Sequence, residues 1–476
     1  MAKWSKVAQF SANALALALT ANTAVQLDIM REIAMRSRVL VDSVGFDYGM
    51  RYFRLTDILV LGLAGSLFSL PLCVYVLGNF GFRMTAVIGH LMHTLGFMGY
   101  FKGRDLMSNT LGAGLLGLST SLIFNGHSMM SKLVPYRHEL VVQHFQTLMS
   151  TLSLITPVLL FFLGEYRSRL VGYDVYNSVI LGYIGFLYLL TPLVFFTAKG
   201  HTYPQTQEWD AEETSSDLSD GAGSSNETPE NENQREPAPY QPFVLLSSSL
   251  PRVSESLPMV PLQGFETATK NWRNQVRSLP FLICALYMFN VNFRRAYFLA
   301  NFREICFDFV KDPAEAHSLQ MFYNYISVIG FLGTLAWAFL VEQSVQMMLW
   351  FSTSLGILIQ LSLCFASPVA LRVAAVLFAF YNTNIYVEIY YVITELFGQT
   401  SSNFLQGLMF TAGGLGACCV LLWNRVVSVY FEENWAVQNG LMLLMALFSL
   451  SLPAYRLLQD RAEAKKQNPE RKASYV

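Results

Sequence analysis

The residues with the clearest chemical potential in this sequence are ionisable side chains inside long apolar stretches. Arg294 and Arg295 lie about two-thirds of the way along the apolar stretch 278–300, and Asn290 precedes them by one helical turn. A guanidinium group binds a carboxylate through two parallel hydrogen bonds. We therefore predict that Arg294 holds the carboxylate of a solute, with Asn290 as a further donor. The alternative is that both arginines lie at the aqueous end of a shorter span and extend their charges into water.

A second polar face lies in the apolar stretch 370–393. Tyr381, Asn384 and Glu388 are spaced i, i+3 and i+7, which places them on one face of a helix. An ionisable residue inside a membrane span costs about 2.5–3.5 kcal/mol on insertion scales, so such a face does not point at lipid. Three interpretations of Glu388 stay open: it binds an ammonium group, it carries a coupling proton, or it pairs with an arginine.

The first apolar stretch, residues 7–29, carries polar positions of its own. Asn22 and Gln26 suit a helix that lines an aqueous cavity, and we predict that they contact the solute. An alternative is a cleaved signal peptide, because two lysines precede the apolar run and small residues follow it at 21–24. The predicted substrate-binding residues are Arg294, Asn290, Asn22, Gln26, Tyr381, Asn384 and Glu388.

No motif for covalent or metal-assisted catalysis is visible along the chain. The sequence has no phosphate-binding loop and no HExxH motif, and its six cysteines lack the spacing of a zinc site or a disulfide framework. His90 and His93 lie at i, i+3 in one apolar stretch, and His127 lies in the next. A histidine pair can bind a metal ion only with a third ligand, which the sequence does not indicate. We therefore predict that these histidines form interhelical hydrogen bonds. We predict no enzyme activity, no catalytic residue, no cofactor and no metal.

The composition indicates that membrane spans hold these residues. Of 476 residues, 53% are hydrophobic and only 14% are charged, whereas soluble domains have about 25% charged residues. A formal net charge of −1 argues against nucleic-acid binding, which needs a basic excess. An apolar helix of about 20 residues crosses a bilayer. The predicted spans are 7–29, 55–77, 84–101, 108–130, 140–163, 176–197, 278–300, 318–340, 346–366, 370–393, 404–424 and 436–456.

A polar interruption separates the first six spans from the last six. Residues 198–277 are crowded with Asp, Glu, Ser, Asn and Pro, and we predict a disordered linker because they cannot bury enough apolar surface to fold. The domains are then an N-terminal six-helix bundle at 1–197, an acidic cytosolic linker at 198–277, a C-terminal six-helix bundle at 278–457 and a cytosolic tail at 458–476. An even number of spans places both termini and the linker on one side, and the basic tail favours the cytosol.

A short turn joins the second and third spans and reads Leu77-Gly78-Asn79-Phe80-Gly81-Phe82-Arg83. Transporters of the major facilitator superfamily usually carry Asp-Arg-x-Gly-Arg-Arg/Lys here. This sequence resembles that motif in the turn glycine, Gly81, and in the final base, Arg83. Gly78 stands where the motif has its acid, so the turn is a weaker latch between transport states. We predict that Gly78, Gly81 and Arg83 form this conformational turn.

Three segments, in order, resemble the facilitative system-L-type large neutral amino-acid transporters and their apicomplexan relatives within that superfamily. They are Gly65-Ser66 with Leu70-Pro71-Leu72 and the turn, Asn292-Phe293-Arg294-Arg295-Ala296-Tyr297, and Phe404-Leu405-Gln406-Gly407-Leu408-Met409. The resemblance implies an all-α polytopic membrane protein with the major-facilitator fold, about twelve transmembrane helices in two six-helix halves around a midplane site. It also implies a transporter that moves a small polar solute, an amino acid, by alternating access.

The expected partners are a small-molecule substrate and the lipid bilayer, with no nucleic acid, and the oligomeric state stays open. Facilitated diffusion is the default, because no sodium-site signature is visible, and proton coupling through Glu388 is the alternative. Another solute also fits, such as a sugar, nucleoside, organic anion or drug, and so does a non-transporting membrane scaffold. We expect an integral multi-pass protein of the plasma membrane, with an organellar membrane as the alternative.

Overall fold

The structure is a computed structural model, and every regular element that it describes is an α-helix. The described residues are 6–21, 29, 30, 33, 55–103, 106–127, 145, 149, 150, 152, 153, 155–171, 175–197, 274–330, 332, 333, 336, 337, 340, 344–365, 367–397, 399–430 and 434–467. The predicted linker lies outside them apart from 274–277, and so does the end of the predicted tail.

The predicted linker divides the described helices into two sets. Those before it are α1 (Lys6–Thr20), α2 (Leu55–Lys102), α3 (Leu106–Gly126), α4 (Ile155–Val171) and α5 (Val175–Thr197). Those after it are α6 (Leu279–Phe309), α7 (Pro313–Ile329), α8 (Val345–Phe365), α9 (Pro368–Phe397), α10 (Gln399–Tyr430), α11 (Trp435–Phe448) and α12 (Ser451–Gln467). By length and composition, five described stretches can cross a membrane: Val60–Leu77, Ser178–Phe196, Val345–Phe365, Leu405–Val426 and Trp435–Arg461.

The helix α2 contains the second and third predicted spans and reverses direction at Gly81. Gly81 has φ 70° and ψ 176°, a conformation that a residue without Cβ adopts without a steric penalty. Arg83 anchors the reversal to α5: its Nε donates to the Phe195 carbonyl oxygen at 2.9 Å, and its guanidinium lies 3.8 Å from the centroid of that ring. Phe195 is in the last turn of α5, where the helix dipole favours a cation. Gly78 lies within the helix that leads into the reversal.

Glycines let α3 pack against both halves of α2, residues 55–80 and 82–102. A Cβ on Gly117 would lie 1.9 Å from the Gly62 carbonyl oxygen, and one on Gly112 would lie 2.2 Å from the Tyr100 backbone nitrogen. Small residues permit this backbone-to-backbone approach between membrane helices. The matched positions are Gly62 with Gly117, Ser69 with Ser121, Tyr100 with Gly112 and Ala86 with Gly126. The helix α3 therefore runs parallel to the first half of α2 and antiparallel to the second.

This packing predicts that Gly117→Ala destabilises the protein by about 1–3 kcal/mol, the usual cost of overpacking. The added methyl group would collide with the Gly62 carbonyl oxygen. Gly114→Ala is the matched control on the same helix, because nothing lies within 4 Å of its Cβ position. The apparent melting temperature of the purified protein in detergent measures both variants. Equal melting temperatures for the two would contradict the close approach of α3 to α2.

Contacts between the helices before and after the linker run along α2 with α10 and along α4 with α7. A Cβ on Gly414 of α10 would lie 2.8 Å from the Phe68 ring of α2. The ring of Phe162 in α4 stacks on that of Tyr325 in α7, with centroids 5.7 Å apart. The two sets of helices thus meet through aromatic rings and glycines.

The bounds of two helices correct the sequence-based spans. The helix α4 ends at Val171 where the predicted span ends at 163, and α6 ends at Phe309 where the predicted span ends at 300. The longer α6 places both of its adjacent arginines in mid-helix, with exposed fractions of 2% for Arg294 and 1% for Arg295. The interpretation that these arginines reach water at the end of a short span is therefore wrong.

Candidate functional site

The last predicted span, 436–456, is interrupted, and the interruption exposes polar groups to α6. Pro453 lacks an N–H and so cannot bond the carbonyl of Ser449 four residues earlier, which favours a break in the helix before it. The Ser449 N–H bonds the Ala446 carbonyl oxygen at 3.1 Å, whereas a regular helix would direct it to Met445. The Met445 carbonyl and the Ser449 hydroxyl are thereby left for other partners.

Arg294 and Asn290 of α6 bind these released groups. Asn290 Nδ2 donates to the Met445 carbonyl oxygen at 2.8 Å. Arg294 donates from Nε to Asn290 Oδ1 at 2.9 Å and from NH2 to Ser449 Oγ at 2.9 Å. All of these partners are neutral, and no carboxylate of the described residues lies within 4 Å of the guanidinium.

Gly356 of α8 and Tyr381 of α9 approach the same guanidinium. A Cβ on Gly356 would lie 2.9 Å from Arg294 NH1 and 3.5 Å from the Tyr381 hydroxyl oxygen. The Arg294 guanidinium and the Tyr381 hydroxyl interact with one another, and that buried hydroxyl has no other hydrogen-bond partner in the described part of the chain. A guanidinium and a phenol hydroxyl therefore converge beside a glycine, an arrangement that suits an oxyanion.

Glu388 of α9 is the acid of this cluster, with an exposed fraction of 1%. Its Oε1 accepts from the Tyr287 hydroxyl at 2.7 Å, and its Oε2 accepts from the Ser352 hydroxyl at 2.8 Å. The charges of Glu388 and Arg294 also interact across the cluster. The site therefore holds one cation and one anion, each with neutral hydrogen-bond partners.

The helices α6 and α9 run antiparallel along this cluster and present matching residues in layers. The facing pairs are Tyr287 with Glu388, Arg294 with Tyr381, and Phe298 with Phe378. In the last pair the rings stack with centroids 3.9 Å apart. An acidic layer, a guanidinium layer and an aromatic layer thus follow one another along the two helices.

The structure brings four of the predicted substrate-binding residues into this one cluster: Arg294, Asn290, Tyr381 and Glu388. Asn384 lies on α9, but its side chain is outside the described residues, and Asn22 and Gln26 lie outside them entirely. Arg295 has a different hydrogen-bond partner, since its Nε donates to Asn382 Oδ1.

Sequence reasoning missed four members of the site: Tyr287, Ser352, Gly356 and Ser449. A signal existed for two of them. Tyr287, Asn290 and Arg294 have the same i, i+3, i+7 spacing as the predicted face of α9, and Pro453 marks a helix interruption at Ser449. Among the described residues, no group of three His, Cys, Asp or Glu side chains is placed to hold a metal ion.

No family model matches the sequence, and no curated protein matches it. Solved structures match over nearly the whole chain. A single-residue variant of the Escherichia coli fucose:proton symporter FucP aligns with a TM-score of 0.52 and 11% identity over 95% of this chain and 99% of that chain. FucP in the outward conformation gives 0.54 and 10% with the same coverage. An auto-inhibited peptide transporter of the POT family gives 0.55 and 13%, over 95% and 96%.

The chain adopts the major-facilitator fold. This match confirms the predicted all-α, polytopic membrane architecture. Within the major-facilitator fold, every described member of the Arg294 cluster lies after the linker, on α6, α8, α9 and the break between α11 and α12. The site is therefore assembled by the second set of helices.

Proposed function

We propose that this protein is a membrane transporter that moves a small zwitterionic solute, an amino acid, by alternating access. The observation that carries the proposal is the buried Arg294 guanidinium, which has only neutral hydrogen-bond partners in the described part of the chain and lies beside the Tyr381 hydroxyl and Gly356. A buried charge without a counter-charge in direct contact is unfavourable, and Glu388, the acid of the cluster, interacts with Arg294 only across the cluster. The carboxylate of a solute beside Gly356 supplies a close counter-charge and accepts from the guanidinium and the Tyr381 hydroxyl.

Glu388 provides the second half of the recognition. Its carboxylate lies two helical turns from Tyr381, about 10 Å along α9, and it accepts hydrogen bonds from two neutral hydroxyl groups. An ammonium group on the solute binds this acid while the solute carboxylate binds Arg294. A zwitterion suits the site because it complements both charges and carries no net charge through the membrane.

The choice of an amino acid rests on these charges and on the resemblance of three segments to system-L-type transporters. The solved structures with the same fold carry different cargoes by their descriptions, fucose with a proton in one case and peptides in another. We propose transport of a large neutral amino acid, either down its own gradient or coupled to protons, with the apolar side chain of the solute against the aromatic residues of α6 and α9. We also propose cytosolic termini, a cytosolic linker at 198–277 and a location in the plasma membrane.

A structural role is the competing interpretation of the same cluster. The hydrogen bonds of Arg294 and Glu388 tie α6 to α8, α9 and the break before α12, and such a network stabilises a membrane bundle without any solute. The two roles differ in one respect that is open to measurement: only the transport role requires a ligand.

Counterflow in proteoliposomes tests the proposed function. We expect radiolabelled leucine to accumulate in vesicles preloaded with unlabelled leucine, and not in vesicles preloaded with glucose, uridine or succinate. Protein-free vesicles are the control for leakage. Counterflow of glucose, uridine or succinate without counterflow of any amino acid would assign a different solute. Absence of all counterflow from folded, reconstituted protein would support a scaffold.

A further inference from the structure

Two buried histidines, His90 of α2 and His127 directly after α3, form a second polar centre on the helices before the linker. His90 Nε2 lies 2.8 Å from His127 Nε2, with the two rings at 76° to one another. His127 Nδ1 lies 2.7 Å from Asn13 Oδ1 of α1. All three side chains are buried. The prediction of interhelical hydrogen bonds by these histidines is confirmed, and three helices meet at one chain of hydrogen bonds.

The hydrogen bond of Asn13 determines where each proton lies in this series of hydrogen bonds. Asn13 Nδ2 donates to the Gln9 carbonyl oxygen at 2.7 Å, and a carbonyl only accepts, so Asn13 presents its oxygen to His127. His127 Nδ1 must therefore carry a proton. In a neutral imidazole the other nitrogen is then an acceptor, which makes His90 Nε2 the donor. His90 Nδ1 is left as a buried lone pair without a hydrogen-bond partner among the described residues.

We propose that the His90–His127 pair is a proton-binding site and that the proton enters at His90 Nδ1. The incoming proton forms a bond to the Nδ1 lone pair. His90 Nε2 then releases its own proton to His127 Nε2, so His90 becomes a neutral Nδ1–H imidazole and His127 becomes an imidazolium. No other bond changes, and water supplies the proton. Proton binding by the pair does not depend on the proposed transport function. Only its consequence, the coupling of solute movement to protons, rests on that function.

The surroundings of His127 favour the charge at that ring. His127 follows Gly126, the last residue of α3, and the carbonyl end of a helix attracts a cation. Its Nδ1–H already donates to Asn13 Oδ1, and a charged donor makes this bond stronger. Close packing brings the ring to His90, since a Cβ on Gly126 would lie 2.4 Å from the Ala86 backbone nitrogen.

The titratable groups around the pair include no acid in the described helices. The residues Leu106–Gly126 of α3 contain no charged residue, and α1 contributes only Lys6 at its first position. The other titratable groups are His93 and Cys73 of α2, which bond Ser119 and Ser121, and Tyr183 of α5, which bonds the Leu19 carbonyl. Since nothing there neutralises an imidazolium, the closed packing favours the neutral pair.

Proton binding is consequently linked to conformation. His90 lies about 13 Å along α2 from the Gly81 reversal, at 1.5 Å per residue. Opening of the bundle at that end admits water to the bare Nδ1 atom and solvates the charge. By reciprocity, protonation of the pair favours the opened state. The pair thus couples a proton to the conformational change, separately from Glu388.

Proton counting tests this site without any solute. His90→Gln keeps an N–H donor toward His127 and cannot take up a proton near neutral pH; His93→Gln, one turn further on, is the matched control. We expect wild type and His93→Gln to bind one more proton per molecule than His90→Gln when purified protein is taken from about pH 8 to about pH 5, the range of histidine titration. Equal proton uptake by wild type and His90→Gln would overturn the proposal. His127→Gln serves as a second variant if His90→Gln does not fold.

Leucine uptake under an inward proton gradient tests the consequence for transport. We expect the gradient to stimulate wild type and His93→Gln severalfold, and to leave His90→Gln unstimulated with its leucine counterflow intact. Stimulation that persists in His90→Gln would overturn the coupling role. Absence of leucine counterflow in wild type would refute the proposed function instead, and the proton count would still decide whether the pair binds a proton.

Discussion

Arg294→Lys is expected to lower leucine counterflow by about tenfold to a hundredfold while folded protein remains in the membrane. A lysine ammonium lacks the planar fork of the guanidinium, so it cannot bond Asn290 and Ser449 and also present two donors to a carboxylate. A hydrogen bond to a charged group contributes about 1.5–3 kcal/mol, and each 1.4 kcal/mol is a factor of ten. Initial counterflow rates, normalised to reconstituted protein, measure the loss.

Arg295→Lys is the matched control for this variant. Arg295 is the next residue, is equally buried, and directs its Nε to Asn382, so its replacement disturbs the packing without touching the carboxylate site. We expect a much smaller loss of counterflow than for Arg294→Lys. Unchanged counterflow in Arg294→Lys, or equal losses in both variants, would remove Arg294 from the binding site.

Glu388→Gln is expected to lower counterflow by about 30-fold or more at every pH. Removing one partner of a buried, hydrogen-bonded charge pair costs about 2–5 kcal/mol, and the glutamine amide no longer offers two acceptor oxygens to Tyr287 and Ser352. Counterflow across a range of external pH separates the roles of this acid. A loss confined to gradient-driven uptake would assign proton coupling to Glu388, against the ammonium-binding role proposed here.

Glu395→Gln is the control on the same helix. Its carboxylate lies 2.6 Å from Arg456 NH2 and is about half exposed, and exposed ion pairs contribute about 0–1 kcal/mol. We expect nearly normal counterflow. If Arg294→Ala and Glu388→Ala each abolish folded protein and the double variant restores it, the cluster is a structural ion pair.

The spacing of polar residues predicted the polar faces of α6 and α9, but it did not predict which residues of other helices contact them. A phenol or charge repeated at i, i+3 and i+7 within an apolar stretch identifies a face, whichever helix lies opposite. The partners are Ser352, Gly356 and Ser449, small residues that also occur throughout membrane helices as packing positions. Their spacing carries no information about which helix adjoins which, so the sequence could not assign them to Arg294 or Glu388.

The end of α6 was missed for a different reason. Hydropathy marks only the apolar part of a span, whereas α6 continues through Arg303, Glu304 and Asp308 to Phe309. The two polar centres of the molecule could not be predicted because they are formed by contacts between residues distant in sequence. Asn13 of α1 contacts His127, and Asn290 contacts the break after α11. The all-helical membrane class followed from composition and the span pattern, because a bilayer requires every backbone group to be paired, whereas the major-facilitator fold was implied by the resemblance of short segments.

The role of Arg294 as the ligand of the solute carboxylate is tested by competition between leucine and leucinamide. Leucinamide keeps the ammonium group and the side chain but replaces the carboxylate by a neutral amide. Inhibition constants for both compounds are measured against radiolabelled leucine in wild type and in Arg294→Lys. We expect leucine to bind wild type about tenfold or more tightly than leucinamide, and this ratio to fall toward one in the variant. Equal inhibition constants in wild type, or an unchanged ratio in Arg294→Lys, would contradict this role.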